Sequence, residues 1–390
     1  MKDVFIVEGL RTPIGSAGKS LKDVSPVTLG VIVLKALLKN NTEYGSLVDE
    51  VILGNAVGAG LGQNPARQVL VNAGLPVETP AFTVNKVCGS GLKSVTLAAQ
   101  SILCGDSNAV IAGGIESASQ NPRLLSRNIK AEGMDPGDMQ DSLITDGLWC
   151  NLKNTHIGMI AEYTAEKFKI SREAQDNYAF QSHKKAVCAQ ENGSFQREIA
   201  PVEIAGSVIL DYDERPRKDI SMERLSRLKP AFKPEGTVTA GNSPAPADGA
   251  AALILASEQA VKKFNFVPAA RILGYASVAV SPELTFTAAA LAIKKCLKAS
   301  SLTIQDIDLF EIAESFAVQA LLTIKEIGFD AKRLNVFGGT IALGHPLGAS
   351  GARSLVTLIN ALKIEQKKTG IISICLGGGC AVSLAVRVLY

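Results

Sequence analysis

The feature that most constrains this chain is that it contains one arrangement twice. Residues 25–40, "SPVTLGVIVLKALLKN", and 281–299, "SPELTFTAAALAIKKCLKA", both open on Ser-Pro and continue with apolar residues at helical spacing. "LVDEVILGNAV" (47–57) and "IQDIDLFEIAES" (304–315) each pass from a polar entry into the short apolar run of a buried strand. "GSGLKSVTLAAQSI" (89–102) is matched by "GASGARSLVTLINAL" (348–362), and the strand-like "NAVIAGGIES" (108–117) by "TGIISICLGGGC" (369–380). Alternation of strand and helix predicts an α/β protein in which parallel strands are flanked by helices, the two copies packing as pseudo-symmetric halves. The boundaries fall at 1–118 plus about 246–266 for the first half and 267–390 for the second. Residues 119–245 between them mix charged helical stretches such as "SREAQDNYAFQSHKKAVCAQENG" with irregular Met-, Pro- and Asp-containing runs, and read as an inserted loop domain with a binding role.

Composition narrows the function classes. A net charge of +3 with no basic block gives no reason to expect nucleic acid or a membrane surface as partner. The first apolar run, Val4 to Val7, is too short for a signal-peptide core, and no uninterrupted apolar stretch reaches the roughly 18 residues of a membrane span. The expected location is the cytoplasm. The 7 cysteines, at 88, 104, 150, 188, 296, 375 and 380, form no CxxC pair, which argues against a disulfide framework, a zinc ribbon or any metal site. Cys104, Cys188 and Cys296 are expected to be buried thiols acting as small hydrophobes.

Cys88 stands apart. In "VNKVCGSGLKSV" it precedes a predicted helix at a glycine-rich turn, where it could be a filler, a redox or metal ligand, or a nucleophile. A helix N-terminus offers unpaired N–H groups and the positive dipole end, which lower a thiol's pKa, so a thiolate is expected there. Of the 3 histidines, His183 lies in a polar helical stretch and is expected to face solvent. His345 sits among glycines in "GGTIALGHPLGASG", at the repeat's equivalent of the Cys88 turn, so a pseudo-twofold axis would bring both residues to one pocket. "ICLGGGCAV" places Cys375 at a strand end, followed by glycines whose N–H groups suit an oxyanion.

Taken together, "VCGSGLKS", "TVTAGN" with "DGAA" soon after, "GGTIALGHPLGASGAR" and "CLGGGC" resemble the thiolase family along essentially the whole chain. The resemblance implies two βαβαβαββ halves in a five-layered α/β/α/β/α arrangement with a loop domain, assembled as a homodimer or homotetramer. It implies coenzyme A and acyl-CoA as substrates, with no permanently bound cofactor. Carried over by residue, Cys88 is the acylated nucleophile, His345 the base that takes the thiol proton, and Cys375 the thiol that moves a proton at the α-carbon. The N–H groups of Cys88 and Gly377 form an oxyanion hole. Arg217 and Phe232 fall where relatives touch the nucleotide and His156 where they touch pantetheine, and Ser315 and Phe316 join the coenzyme A contacts. "ERPRKDISMERLSRLK" supplies further basic residues for phosphate.

Three departures from the family pattern crowd the same region. "AESF" (313–316) replaces Asn-Glu-Ala-Phe, removing the asparagine that in the family positions the water completing the other, first oxyanion hole. "GNSPAPADGAA" puts Pro244 where a serine is usual, and "SPELTFTAAAL" puts Phe286 where a glycine is expected. The leading expectation is thiolysis of a short 3-ketoacyl-CoA such as acetoacetyl-CoA, or the reverse Claisen condensation of acetyl-CoA. The alternatives are a condensing enzyme with a different acyl donor and a weakly active coenzyme A-binding homologue.

Overall fold

The computed structural model describes residues 3–40, 44–125 and 139–390. Residues 126–138 of the expected insertion, and 1–2 and 41–43 of the expected first half, lie outside the described residues. Nine strands form one hydrogen-bonded path: β1 (Val4–Arg11), β2 (Glu50–Gly54), β3 (Ala81–Val84), β4 (Ala109–Ser117), β5 (Ala247–Ser257), β6 (Ala270–Ala279), β7 (Leu309–Ala313), β8 (Thr369–Leu376) and β9 (Cys380–Val388). Their order is β7-β8-β9-β6-β1-β5-β4-β2-β3. Reading outward from the β1–β6 contact, the first half runs β1, β5, β4, β2 and the second β6, β9, β8, β7, so the repeat in sequence is a repeat in space.

The sheet is mixed where parallel strands were expected. β2 pairs in parallel with β3 and β4, and β7 with β8, but β5 and β9 return antiparallel. The reason is the connection: β8 reaches β9 through a turn of three glycines, too short for the crossover that parallel neighbours need.

The principal helices are α1 (Pro26–Asn40), α2 (Pro65–Ala73), α3 (Ser90–Cys104), α4 (Ile157–Phe168), α5 (Arg172–Glu191), α6 (Ala288–Ala299), α7 (Ala317–Ile327) and α8 (Leu347–Ile364). α1 and α2 cover the first half's outer face, α6 and α7 the second's, and α3 and α8 pack against each other between the two. That gives five layers. β4 and β8 are buried along their whole length because helices press on both faces. The stretch Val87–Cys104 is long and apolar enough to cross a membrane by length and composition, and most of it is buried inside the fold.

The central helices approach closely because glycines line their crossing. A Cβ on Gly91 would stand 2.7 Å from the Gly348 carbonyl oxygen, and one on Gly351 would stand 2.7 Å from the Leu92 Cβ. This contact sets the two helix starts, and the residues just before them, side by side. The Ser-Pro starts differ between the copies. Ser25 accepts the Thr28 N–H at 3.0 Å and α1 follows at once, whereas Pro282–Thr287 form a 3-10 turn before α6 begins. Phe286, in that turn, is thereby driven into the interior with 1% exposure.

Candidate active site

Cys88 sits on a strained bend. Val87 has φ 49°, a left-handed conformation that is unfavourable for a β-branched residue. The strain is held in place by Ser90, whose Oγ donates to the Val87 carbonyl at 2.6 Å and accepts the Lys86 N–H at 2.8 Å. Gly89 has no side chain because Leu376 occupies the space a Cβ would need. The expected preformed thiolate is corrected here. Burial above all, then the neighbouring Cys375 and Glu116, push the Cys88 thiol up, and the N–H groups of Cys88 and Gly377 pull it down only in part. The helix dipole loses because the thiol is desolvated.

His345 enters from the second copy, just ahead of α8. Its backbone N–H donates to the Ala245 carbonyl at 2.9 Å, and its Nδ1 lies 2.6 Å from the Ser350 Oγ. Ser350 spends its only hydrogen on the Pro346 carbonyl at 2.9 Å, so it accepts from Nδ1–H. That fixes the tautomer: Nε2 carries the lone pair, and it is buried with no hydrogen-bond partner among the described residues. Burial, with Arg353 nearby, lowers the imidazole to about 3, so it is neutral at working pH.

The third expected catalytic residue, Cys375, is next to last in β8 with no exposure, and burial pushes its thiol up to about 11. Ser315 stands 3.2 Å from its sulfur and draws it back down. A cavity of about 280 Å³ joins the pieces: Cys88, His345, Gly377 and Ser315 line it, as do His156, Phe232 and Phe316. Cys375 lies behind Ser315 and does not itself line it. His156 accepts the Gly158 N–H at 3.0 Å and stacks on Phe232, with ring centroids 4.9 Å apart. Phe316 meets Phe232 and Phe286 edge-on at 6.0 and 5.4 Å, making one wall aromatic. Ala313, at the end of β7, is fully buried and offers no polar side-chain atom.

Two acids outside the expected site residues hold the loops together. Glu314 is fully buried and accepts from Tyr178 at 2.7 Å, Asn335 at 2.5 Å and the Ile341 N–H at 2.9 Å, bracing the segment that leads to His345. Its retention in "AESF" was the available signal. Glu116 accepts the N–H groups of Ala56 at 2.9 Å and Gly348 at 2.8 Å, tying the start of α8 to the first half. Burial pushes it up to about 7.

A second cavity, of about 150 Å³, lies on the far side of the Gly241–Ser243 turn: Gly241 lines this one and Ser243 the first. Arg215, Arg217 and Arg224 line it, together with Asp219, which pairs with Arg224. Arg217 and Phe232, expected together at the nucleotide, are therefore divided between the two cavities. Of the other basic residues, Lys218 pairs with Glu191 and Arg227 with Glu223. His183 also lines this cavity, and here the expectation of a solvent-facing ring is wrong. It has 4% exposure and accepts the Arg217 N–H at 3.2 Å, because α5 is packed on several sides and its polar sequence does not mark an open face. Burial and the two arginines lower it to about 4. Cys296 is buried as expected, but Cys104 and Cys188 are exposed, lying near the C-terminal ends of α3 and α5.

Comparison with known proteins decides the family. The thiolase N-terminal domain model matches residues 4–259 and the thiolase C-terminal domain model residues 266–388. The chain belongs to the thiolase family. A probable acetyl-CoA acyltransferase of Staphylococcus aureus is 45% identical over 390 residues, with 99% of each chain covered. An acetyl-CoA acetyltransferase of Allochromatium vinosum is 44% identical, again over 99% of both chains. Among solved structures, the Bacillus anthracis acetyl-CoA acetyltransferase superposes with TM-score 0.96 at 38% identity, covering 100% of this chain and 99% of its own. A thiolase from Ascaris suum, solved in complex with coenzyme A, gives TM-score 0.94 at 40% identity over 99% of this chain and 100% of its own. Membership makes this thiolase a thiolase-type acyltransferase.

Proposed function

We propose that this thiolase transfers acyl groups between a short 3-ketoacyl-CoA, acetoacetyl-CoA above all, and coenzyme A through an acyl group on Cys88. The observation that carries the reading is the bare, buried Nε2 of His345 opening into the cavity that Cys88 lines. Both groups are neutral at rest, so the thiol proton passes to Nε2 as the sulfur bonds to the 3-keto carbon. The bond between the α- and 3-keto carbons breaks, its electron pair leaves on the acetyl-CoA α-carbon, and Cys375 supplies the proton. Coenzyme A thiol then attacks the acyl group, its proton returning Cys375 to the thiol form while His345 reprotonates Cys88. The N–H groups of Cys88 and Gly377 receive the acyl oxygen as it becomes negative. The same steps reversed give condensation of two acetyl-CoA molecules.

Coenzyme A fits across both cavities. Its phosphate-bearing end meets Arg215, Arg217 and Arg224, and its pantetheine arm passes Pro244 toward the stacked His156 and Phe232. Residues 119–245 supply His156, Phe232 and the arginines, in keeping with their reading as a binding insertion. Phe286 and Phe316 close the acyl end, which favours short chains. The edge strand β3, with Phe82 exposed, is where a second copy fits the expected oligomer.

The test is kcat/KM for thiolysis across 3-ketoacyl-CoAs of increasing length, for the native chain and for Phe286→Gly. Activity highest on acetoacetyl-CoA and extended to longer chains by the substitution is expected. Native activity that rises with chain length contradicts the short-chain reading. Ala313 favours one second reading, a condensing enzyme with another acyl donor. It predicts acylation of Cys88 without acetoacetyl-CoA thiolysis.

A further inference from the structure

Ser243 lines the same cavity as His345, and the steps above leave its hydroxyl unused. Its hydroxyl oxygen is buried and, among the described residues, has no hydrogen-bond partner. A buried hydroxyl left unpaired is costly, so such a group in a native fold calls for a partner that arrives from outside. It lines the cavity of Cys88, where His345 Nε2 is, among the described residues, the other buried polar side-chain atom left unpaired. The two are held by adjoining backbone: His345 N–H donates to the Ala245 carbonyl at 2.9 Å, and Pro246 bridges His345.

The Ser243 turn is also fixed in place. Asn242 is fully buried, its Oδ1 accepting the Thr239 N–H at 2.8 Å and its Nδ2 donating to Asp176 at 2.9 Å. The Asn242 carbonyl accepts the Ala317 N–H at 3.0 Å, and Pro244 and Pro246 restrict the backbone beyond. A donor held this rigidly needs no rearrangement when charge develops beside it.

We propose that Ser243 is a catalytic residue that donates its hydroxyl hydrogen, together with protonated His345 Nε2, to the thioester carbonyl oxygen of the acetyl-CoA whose α-carbon reacts. This rests on the acyl-transfer reading. Acylation by acetyl-CoA leaves the Cys88 proton on His345 and the Cys375 proton on the departing coenzyme A; when the Cys375 thiolate then takes the α-carbon proton, negative charge moves onto that oxygen, and it is this charge that the pair stabilises. Ser243 forms and breaks no covalent bond. The oxygen of the acyl group on Cys88 is served separately by the N–H groups of Cys88 and Gly377, so the two half-reactions call on different donors.

That division supplies the test. Acylation of Cys88 by acetyl-CoA and subsequent condensation to acetoacetyl-CoA are timed separately, by quenched-flow mass measurement, for the native chain, Ser243→Ala and Ser243→Thr. The expected result for Ser243→Ala is acylation at the native rate and condensation slower by roughly 10²–10³-fold, the typical loss for one oxyanion donor. Ser243→Thr, which keeps the hydroxyl, recovers at least part of it. Condensation unchanged in Ser243→Ala overturns the assignment, and so does equal slowing of both half-reactions, which would mark a structural role. A native chain that never acylates defeats the parent reading instead, and this one falls with it.

Discussion

In the first half the chain leaves β3, bends through Val87 at φ 49° and starts α3 at Ser90; in the second it passes Gly344 at φ 103° and starts α8 at Leu347. The two turns descend from one pattern and lie side by side at the Gly91–Gly348 crossing, yet they present opposite chemistry. The first keeps a thiol protonated by burial, and the second keeps an imidazole unprotonated by burial. Desolvation disfavours whichever form is charged, so it raises an acid and lowers a base. The difference teaches that the pair is built to exchange one proton when substrate arrives rather than to rest as an ion pair.

The largest break in this comparison is His345→Asn. Losing the base is expected to slow Cys88 acylation by roughly 10²–10⁴-fold, the usual contribution of general base catalysis, with coenzyme A binding retained by calorimetry. Near-native acylation would show that another group takes the proton. Gly91→Val attacks the juxtaposition itself. Its side chain would drive into the Gly348 backbone, and an overpacking cost of typically 1–3 kcal/mol should appear as a lower Tm together with reduced acylation. An unchanged Tm would mean that the helices separate freely.

Smaller effects sharpen the picture. Ser315→Ala removes the contact to Cys375, worth about 0.5–1.5 kcal/mol for an ordinary hydrogen bond, so Cys88 acylation and condensation, in each of which Cys375 moves a proton, should both slow several-fold. Native rates in both steps would argue against a role through Cys375. The mildest test uses pH. Because the Cys88 thiol is raised above its ordinary 9.0, its alkylation by iodoacetamide, read by peptide mapping, should climb with pH through that value without levelling. A plateau below about pH 7.5, in the range of thiols activated at helix N-termini, would restore the preformed thiolate.

Much of this was legible in the chain itself. The repeat gave the halves, and the Ser-Gly pairs gave the meeting of Cys88 with His345, because close helix crossing needs small residues and those leave a pattern. Polarity failed as a guide at His183, where a charged helix is buried on several sides by segments remote in sequence. It failed at Cys88 for a related reason: a local rule about helix ends was outweighed by burial that only the assembled layers produce. Ser243 left no signal, since an unpaired hydroxyl is defined by what fails to surround it.

The central claim is that Cys88 and His345 act as one proton-exchanging pair. Intact-protein mass after rapid mixing with acetoacetyl-CoA, on the native chain, Cys88→Ala and His345→Asn, tests it most directly. The account predicts an acetyl increment that forms fast on the native chain, never on Cys88→Ala and only slowly on His345→Asn. An increment that persists in Cys88→Ala, or that forms equally fast without His345, would contradict it.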